Sequence, residues 1–115
     1  MSRQRRHWED CIFDIINAAE YIEGFIQDVT FNEFIKNQET NFAVIRSLEI
    51  IQERAKGIPY HIRKDYPGIP WQDMAIMKDS LVHRDFGIDL KEAWRAVTED
   101  VPSIEPKLRE IITGD

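Results

Sequence analysis

The stretch from Trp8 to Ile26, WEDCIFDIINAAEYIEGFI, decides the fold class. Trp8, Ile12, Ile15, Ala19, Ile22 and Ile26 recur at alternating intervals of four and three. That is one face of a helix with 3.6 residues per turn. Cys11, Ile16 and Phe25 widen the face, as in a helix packed against other helices. The pattern predicts a helix over residues 6–27, with a break at about Asp28–Val29.

The same reading extends along the chain. Thr30 followed three residues later by Glu33 is a capping-box signature. After it come Phe31, Phe34 and Ile35, then a polar stretch, residues 36–41, that either interrupts the helix or forms its exposed face. Phe42, Ile45, Leu48 and Ala55 mark a second long stripe, with Val44 and Ile51 beside it. This helix is expected to stop at Lys56-Gly57, with the glycine supplying a left-handed cap and Pro59 beyond. Residues 60–66 read as one or two helical turns ending at Pro67-Gly68. Ile69-Pro70-Trp71-Gln72-Asp73 opens another helix, expected to continue to His83. Asp89-Leu90-Lys91-Glu92 is a second cap signature. Leu90, Trp94, Val97, Val101, Ile104, Leu108 and Ile111 follow at intervals of four and three. Pro102 and Pro106 interrupt that pattern and predict a kink or restart.

No stretch alternates with period two, and no repeat of 20–50 residues is present. The fold class is therefore all-α, a four- to five-helix up-down bundle. Its 115 residues make one domain, residues 1–115, long enough for a real core. The apolar share of 43% and charged share of 31% exclude disorder. Cys11 is the single cysteine, so an intramolecular disulfide and a Cys-rich zinc site are excluded. The apolar runs are far too short for a membrane span. The first ten residues lack the apolar core of a secretory signal. A cytoplasmic location is the expectation.

The net charge of −6 speaks against a strongly basic nucleic-acid binder. It hides a contrast. From Arg46 to Arg84 there are seven Lys/Arg against five Asp/Glu, so the centre is mildly basic and the flanks acidic.

Phosphate loops, dinucleotide fingerprints and zinc-hydrolase motifs are absent. Among His7, His61 and His83, only the last has suggestive neighbours: Lys78, Asp79, Arg84 and Asp85. His83, Asp85 and Asp89 lack a recognised ligand spacing, so no metal and no cofactor is expected. On one helix Lys78 and His83 would stand about 140° apart, flanking a groove rather than sharing a face. A histidine at a helix C-terminus feels the negative dipole end, which favours its protonated form. An imidazole can take a proton from a 2′-hydroxyl or give one to a leaving oxygen. A nearby cation can neutralise charge building on a phosphate. A solvated or capping histidine has the same surroundings, and these residues alone leave both readings open. The three tryptophans belong to the core or an interface, and Cys11 reads as buried.

The runs Phe42–Glu53, Tyr66–Met74 and Leu81–Asp89, with Trp94, resemble the HepT-like family of HEPN-domain proteins. The resemblance runs from about Trp8 to Ile112, and its most specific part is Ile-Pro-Trp leading into Leu-Val-His. It implies a dimerising helical bundle with a groove shared between subunits. It also implies a metal-independent endoribonuclease toxin whose partner is a minimal nucleotidyltransferase antitoxin. The implied catalytic set is Lys78, Asp79 and His83; Arg46, Arg54 and Arg84, from the mildly basic centre, are the expected RNA-binding cations.

Two positions depart from the family motif. Lys78 stands where the motif has arginine, and a lysine offers phosphate a point charge instead of a planar fork. Asp85 stands where the family has the tyrosine that its antitoxin modifies with AMP, and a carboxylate is no such acceptor. The segment Ile51-Gln52-Glu53-Arg54-Ala55 more commonly reads Ile-Gly-Glu-Ala in the family, and Arg54 fits equally a local addition to the basic face and ordinary surface variation. Both a weakened nuclease and a degenerate module that binds RNA, nucleotide or a nucleotidyltransferase fit these departures. Any RNA binding by so acidic a chain is expected to be weak and salt-sensitive.

Overall fold

A computed structural model describes residues 6–83 and 87–114, with the backbone alone at His83. Helix α1 spans His7–Ile26. It buries Ile12, Ile15, Ala19 and Ile22 as its spacing requires, with Cys11, Ile16 and Ala18 alongside. Each fully buried isoleucine contributes roughly 1.5–3 kcal/mol of transfer free energy. The break falls at Asp28, whose φ of 60° is left-handed.

Helix α2 is Phe31–Lys36. Its capping box forms: Glu33 N donates to Thr30 Oγ1 at 3.1 Å, and Thr30 N donates to Glu33 Oε1 at 2.9 Å. The polar stretch after it does interrupt the helix. Asn37 closes α2 and opens α3, Gln38–Ala55, its Oδ1 accepting from Thr40 N.

The buried stripe of α3 is Val44, Leu48, Ile51 and Ala55, with polar Asn41, Ser47 and Gln52 also inside. Phe42, expected in the stripe, is 59% exposed. The stripe is rotated because Asn41 and Gln52 hold buried positions that a hydropathy pattern assigns to the surface. Gly57 also departs from expectation. Its backbone is not left-handed. A Cβ there would lie 2.8 Å from Cys11 Sγ, so glycine serves close approach of the chain to α1.

Helix α4 is Tyr60–Arg63 and α5 is Trp71–Ala75. The expected continuation of α5 to His83 does not occur. Two turns follow it: a 3₁₀ turn, Asp79–Leu81, and a minimal hairpin of β1, Val82–His83, with β2, Gly87–Ile88. The strands pair antiparallel, Val82 opposite Ile88 and His83 opposite Gly87. The chain leaves the helix at Ile76, whose φ of −122° is not helical and whose N–H reaches back only to Asp73, and α3 then holds the next residues away from it. A continuing helix would send the N–H groups of Lys78 and Asp79 to Met74 and Ala75. Both donate instead to Gln52 Oε1, at 2.8 and 3.0 Å. Gly87, at φ 78°, then admits the reversal.

Helices α6, Leu90–Arg95, and α7, Val101–Thr113, are one continuous run through a π-helical turn, Ala96–Asp100. Asp89 caps it, its Oδ1 accepting from Glu92 N. The π turn is the answer to Pro102. A proline has no N–H and its ring collides with the carbonyl four residues back. A turn closed over five residues moves the Thr98 carbonyl clear. The wider turn brings Asp100 under Arg95, whose guanidinium grips it in a fork at 3.0 and 2.8 Å.

The described residues thus form six helical rods, three long and three short, in an all-α bundle. Helix α1 packs chiefly on α3 and then on α7, and α5 packs on α3. One contiguous apolar core joins them. Trp71 lies in it, its Nε1 donating to Tyr66 O at 3.1 Å, and Trp94 packs on Phe31 and Phe34.

Candidate functional site

The segment from Lys78 to His83 is held against α3 by polar contacts. Gln52 is 4% exposed and its amide oxygen accepts both N–H groups at the start of the 3₁₀ turn. Two converging donors fix the amide orientation, since only the oxygen can accept. One helical turn earlier on α3, Glu49 Oε2 lies 3.7 Å from Lys78 Nζ. Glu49 also pairs through its other oxygen with Arg46. Three charged groups therefore converge: Arg46 and Glu49 from α3, and Lys78 from the turn. Lys78 is about one-third exposed at its side chain.

Asp79 opens the 3₁₀ turn and is exposed. His83 sits in β1, two residues past the end of that turn and opposite Gly87. This corrects the helical geometry expected for it. Lys78 and His83 share no helix, and the helix-dipole argument for a protonated imidazole no longer applies. The backbone instead runs from Lys78 through one tight turn into an extended strand. Leu81, buried between them, anchors the turn, and its carbonyl accepts from Asp89 N at 2.7 Å across the hairpin base.

Of the other cations, Arg46 stays with the cluster through Glu49. Arg54 pairs with Asp14 of α1 at 3.0 Å and is not brought to Lys78. Arg84 and Asp85 lie outside the described residues, as does the His83 side chain. Sequence reasoning did not single out Glu49 or Gln52. Nothing in hydropathy or motif spacing distinguishes a buried glutamine on a helix face from an exposed one.

The chemistry available here is that of a mixed-charge surface beside a turn. No group of three or more His, Cys, Asp or Glu side chains among the described residues is placed to hold a metal. A cleft behind the 3₁₀ turn is lined by Asp73, Ser80, Arg95 and Asp100, but Arg95 is already engaged by Glu92 and Asp100. Those two carboxylates raise the Arg95 pKa further above its ordinary value.

Fold and site define an all-α bundle carrying a Lys-Asp turn that feeds a histidine-bearing hairpin. The chain belongs to the ribonuclease HepT-like family, whose model matches residues 15–111. It is 42% identical over 107 residues to a Thermococcus cleftensis protein named "Probable ribonuclease HepT", covering 93% of this chain and 97% of that one. It is 39% identical over 101 residues to the Methanocaldococcus jannaschii protein "Putative RNase MJ0125", covering 88% and 87% of the two chains. A 31% identical relative, "Putative RNase TTE0752" of Caldanaerobacter subterraneus, covers 85% of this chain and 88% of its own. No solved structure matches the chain. Among the described residues no helix is long and apolar enough to cross a membrane.

Proposed function

We propose that this chain is an endoribonuclease that cuts RNA without a metal, with His83 as proton-transfer group and Lys78 as phosphate clamp. The observation that carries the reading is membership of the ribonuclease HepT-like family over most of the chain. The 3₁₀ turn supports it, because it presents Lys78 and Asp79 five and four residues ahead of His83 on one tightly held segment. In the proposed reaction the imidazole takes the proton of a ribose 2′-hydroxyl. The 2′-oxygen forms a bond to phosphorus, the bond to the 5′-oxygen breaks, and that oxygen receives a proton as it leaves. Lys78 neutralises charge building on the phosphate oxygens. Asp79 orients the histidine or the incoming hydroxyl.

The same proposal includes a homodimer with a groove shared between subunits. Val82 and Ile88 face each other across the hairpin, and Ile88 lines a shallow groove with Ile35 and Phe42. All four are exposed apolar side chains, which a solvated monomer gains nothing by displaying together. Arg46, Arg54 and Arg84 are proposed as further RNA contacts, with Arg54 needing release from Asp14. A minimal nucleotidyltransferase is the proposed antitoxin partner and the cytoplasm the proposed location. With Asp85 in place of tyrosine, neutralisation would proceed without AMP transfer to that position.

The test is cleavage of RNA by purified protein in EDTA. Wild-type protein is expected to cut, and His83→Ala to abolish cutting. Equal cleavage by His83→Ala sinks the assignment. Equilibrium sedimentation checks the dimer: wild type should sediment as two chains and Phe42→Glu as one.

A second reading has its own observation. Glu49 already neutralises Lys78 in the free chain. A degenerate module that binds RNA or its partner without cutting would show RNA binding and no EDTA-resistant turnover.

A further inference from the structure

Among the described residues, the buried amide of Gln52 bonds directly into the candidate site. Its side chain comes from α3, and its partners, Lys78 and Asp79, lie 26 and 27 residues further along the chain. No local sequence feature links them. Helical starts leave their first N–H groups without partners inside the helix. In the 3₁₀ turn, Ser80 N finds Ile76 O at 2.9 Å and Leu81 N finds Lys78 O at 3.0 Å. The N–H groups of Lys78 and Asp79 find Gln52.

We infer that Gln52 is a positioning residue of the proposed active site: by accepting both N–H groups it holds the chain beyond α5 out of the helix and sets the backbone from which Lys78 and Asp79 project. The inference rests on the proposed nuclease function and names a residue which that function needs. The physical case is the alternative conformation. Without the acceptor, both N–H groups are free to return to Met74 and Ala75, and α5 can extend by about one turn. One extra turn would swing Lys78 by about 100° for each residue of register gained and pull it from Glu49 and from the hairpin. A lysine needs this fixing more than an arginine does. Its single charge sits on a flexible four-carbon stem and carries no directional fork. Gln52 fixes the stem at its root, and the ammonium group at its far end, paired with Glu49, is the part that would exchange that partner for phosphate.

Two substitutions separate positioning from simple support. Gln52→Glu keeps an acceptor oxygen at the same reach. Gln52→Leu keeps the volume and removes the acceptor. The inference expects Gln52→Leu to lower kcat for RNA cleavage by roughly tenfold or more, the size typical of lost alignment, with KM little changed. Gln52→Glu should recover most of that loss. Equal kcat in Gln52→Leu and wild type overturns the inference, as does a loss in Gln52→Leu that Gln52→Glu fails to recover.

Hydrogen exchange at the amides of Lys78 and Asp79 supplies a readout independent of turnover and of variant folding. In wild-type protein both should be protected well beyond the amide of exposed Gly68 in the turn after α4. Unprotected amides at 78 and 79 overturn the inference even if the protein cuts RNA. If the wild-type protein does not cut RNA in EDTA, the nuclease reading fails, and the role of Gln52 as an active-site positioning residue fails with it. Protected amides in that case leave a structural clamp only. Cleavage that survives Gln52→Leu unchanged leaves the nuclease reading intact and removes Gln52 from it.

Discussion

Glu49 Oε2 lies 3.7 Å from Lys78 Nζ, so a carboxylate already pairs with the lysine proposed to meet phosphate. The same carboxylate holds Arg46. On the proposed function, RNA phosphate would have to displace Glu49 from at least one of these cations. Both partners are about one-third exposed, which limits the pair to about 1 kcal/mol or less. Glu49→Gln should therefore tighten RNA binding by up to roughly fivefold at low salt, with a steeper dependence on salt as more phosphate contacts form. Fluorescence anisotropy with labelled RNA, in a His83→Ala background to prevent cleavage, measures it. Unchanged or weaker binding would show that Glu49 does not compete with phosphate.

Lys78→Arg tests the motif itself. A guanidinium grips phosphate through two parallel N–H donors, where an ammonium offers a point charge. If Lys78 clamps phosphate in the transition state, Lys78→Arg should raise kcat by about tenfold, equivalent to about 1.4 kcal/mol. Single-turnover cleavage in EDTA reads the gain. An unchanged rate removes the phosphate-clamp role from position 78.

Gly57 and Cys11 form a steric pair between the end of α3 and α1. A Cβ on residue 57 would meet Cys11 Sγ at 2.8 Å and approach His7 Nε2 at 3.6 Å. The sulfur is buried and cannot swing aside without disturbing the core. Gly57→Ala should cost roughly 1–3 kcal/mol through overpacking. Cys11→Ala removes the sulfur and should make the two changes strongly non-additive, with the double variant recovering much of the loss. Urea denaturation of the four proteins gives the coupling. Additive losses contradict the packing argument.

Glu23 and Glu105 meet where α1 faces α7. A hydrogen bond with Glu105, assisted by desolvation and the nearby Glu105 and Glu20 charges, pushes the Glu23 carboxyl up to about 7, while Arg109 opposes the shift. Arg109 holds Glu20 at 2.6 Å and Glu105 at 3.1 Å, clasping the two helices. A raised carboxyl means that the folded chain binds the proton more tightly than the unfolded one. Its stabilisation is complete below about pH 4.5 and is lost as pH rises to about 7. Glu23→Gln keeps a donor at all pH values. Wild type should therefore lose stability relative to Glu23→Gln across that window, by about 1 kcal/mol or less because Glu23 is exposed. Thermal melts of both proteins between pH 4.5 and 8 decide it: a constant difference in Tm contradicts the shared proton.

Helices α1, α3 and the α6–α7 run were legible in the amino-acid order because each buries one stripe of its own residues. Periodicity is a local property, and so are the caps at Thr30 and Asp89, whose partners lie three residues away. The resemblance carried by Ile69-Pro70-Trp71 and Leu81-Val82-His83 pointed to the family for the same reason, as contiguous residues. Cys11 was readable as buried, and its thiol pKa is indeed raised by that burial.

What the tertiary structure alone decided is how the candidate site is built. The apolar spacing of residues 71–83 is compatible with one helix, and no residue within the segment forbids it. The chain nevertheless leaves the helix at Ile76, and Gln52, from another helix, takes the next two N–H groups that a continuing helix would use. That departure separates Lys78 from His83 and places the histidine in a strand. The same holds for Glu49 at Lys78, Asp14 at Arg54 and Cys11 at Gly57: each is a contact between residues distant in sequence. Local order fixes which face of a helix is apolar, because the helix period is the same everywhere. Which polar group meets which depends on how the helices pack, and that is written only in three dimensions.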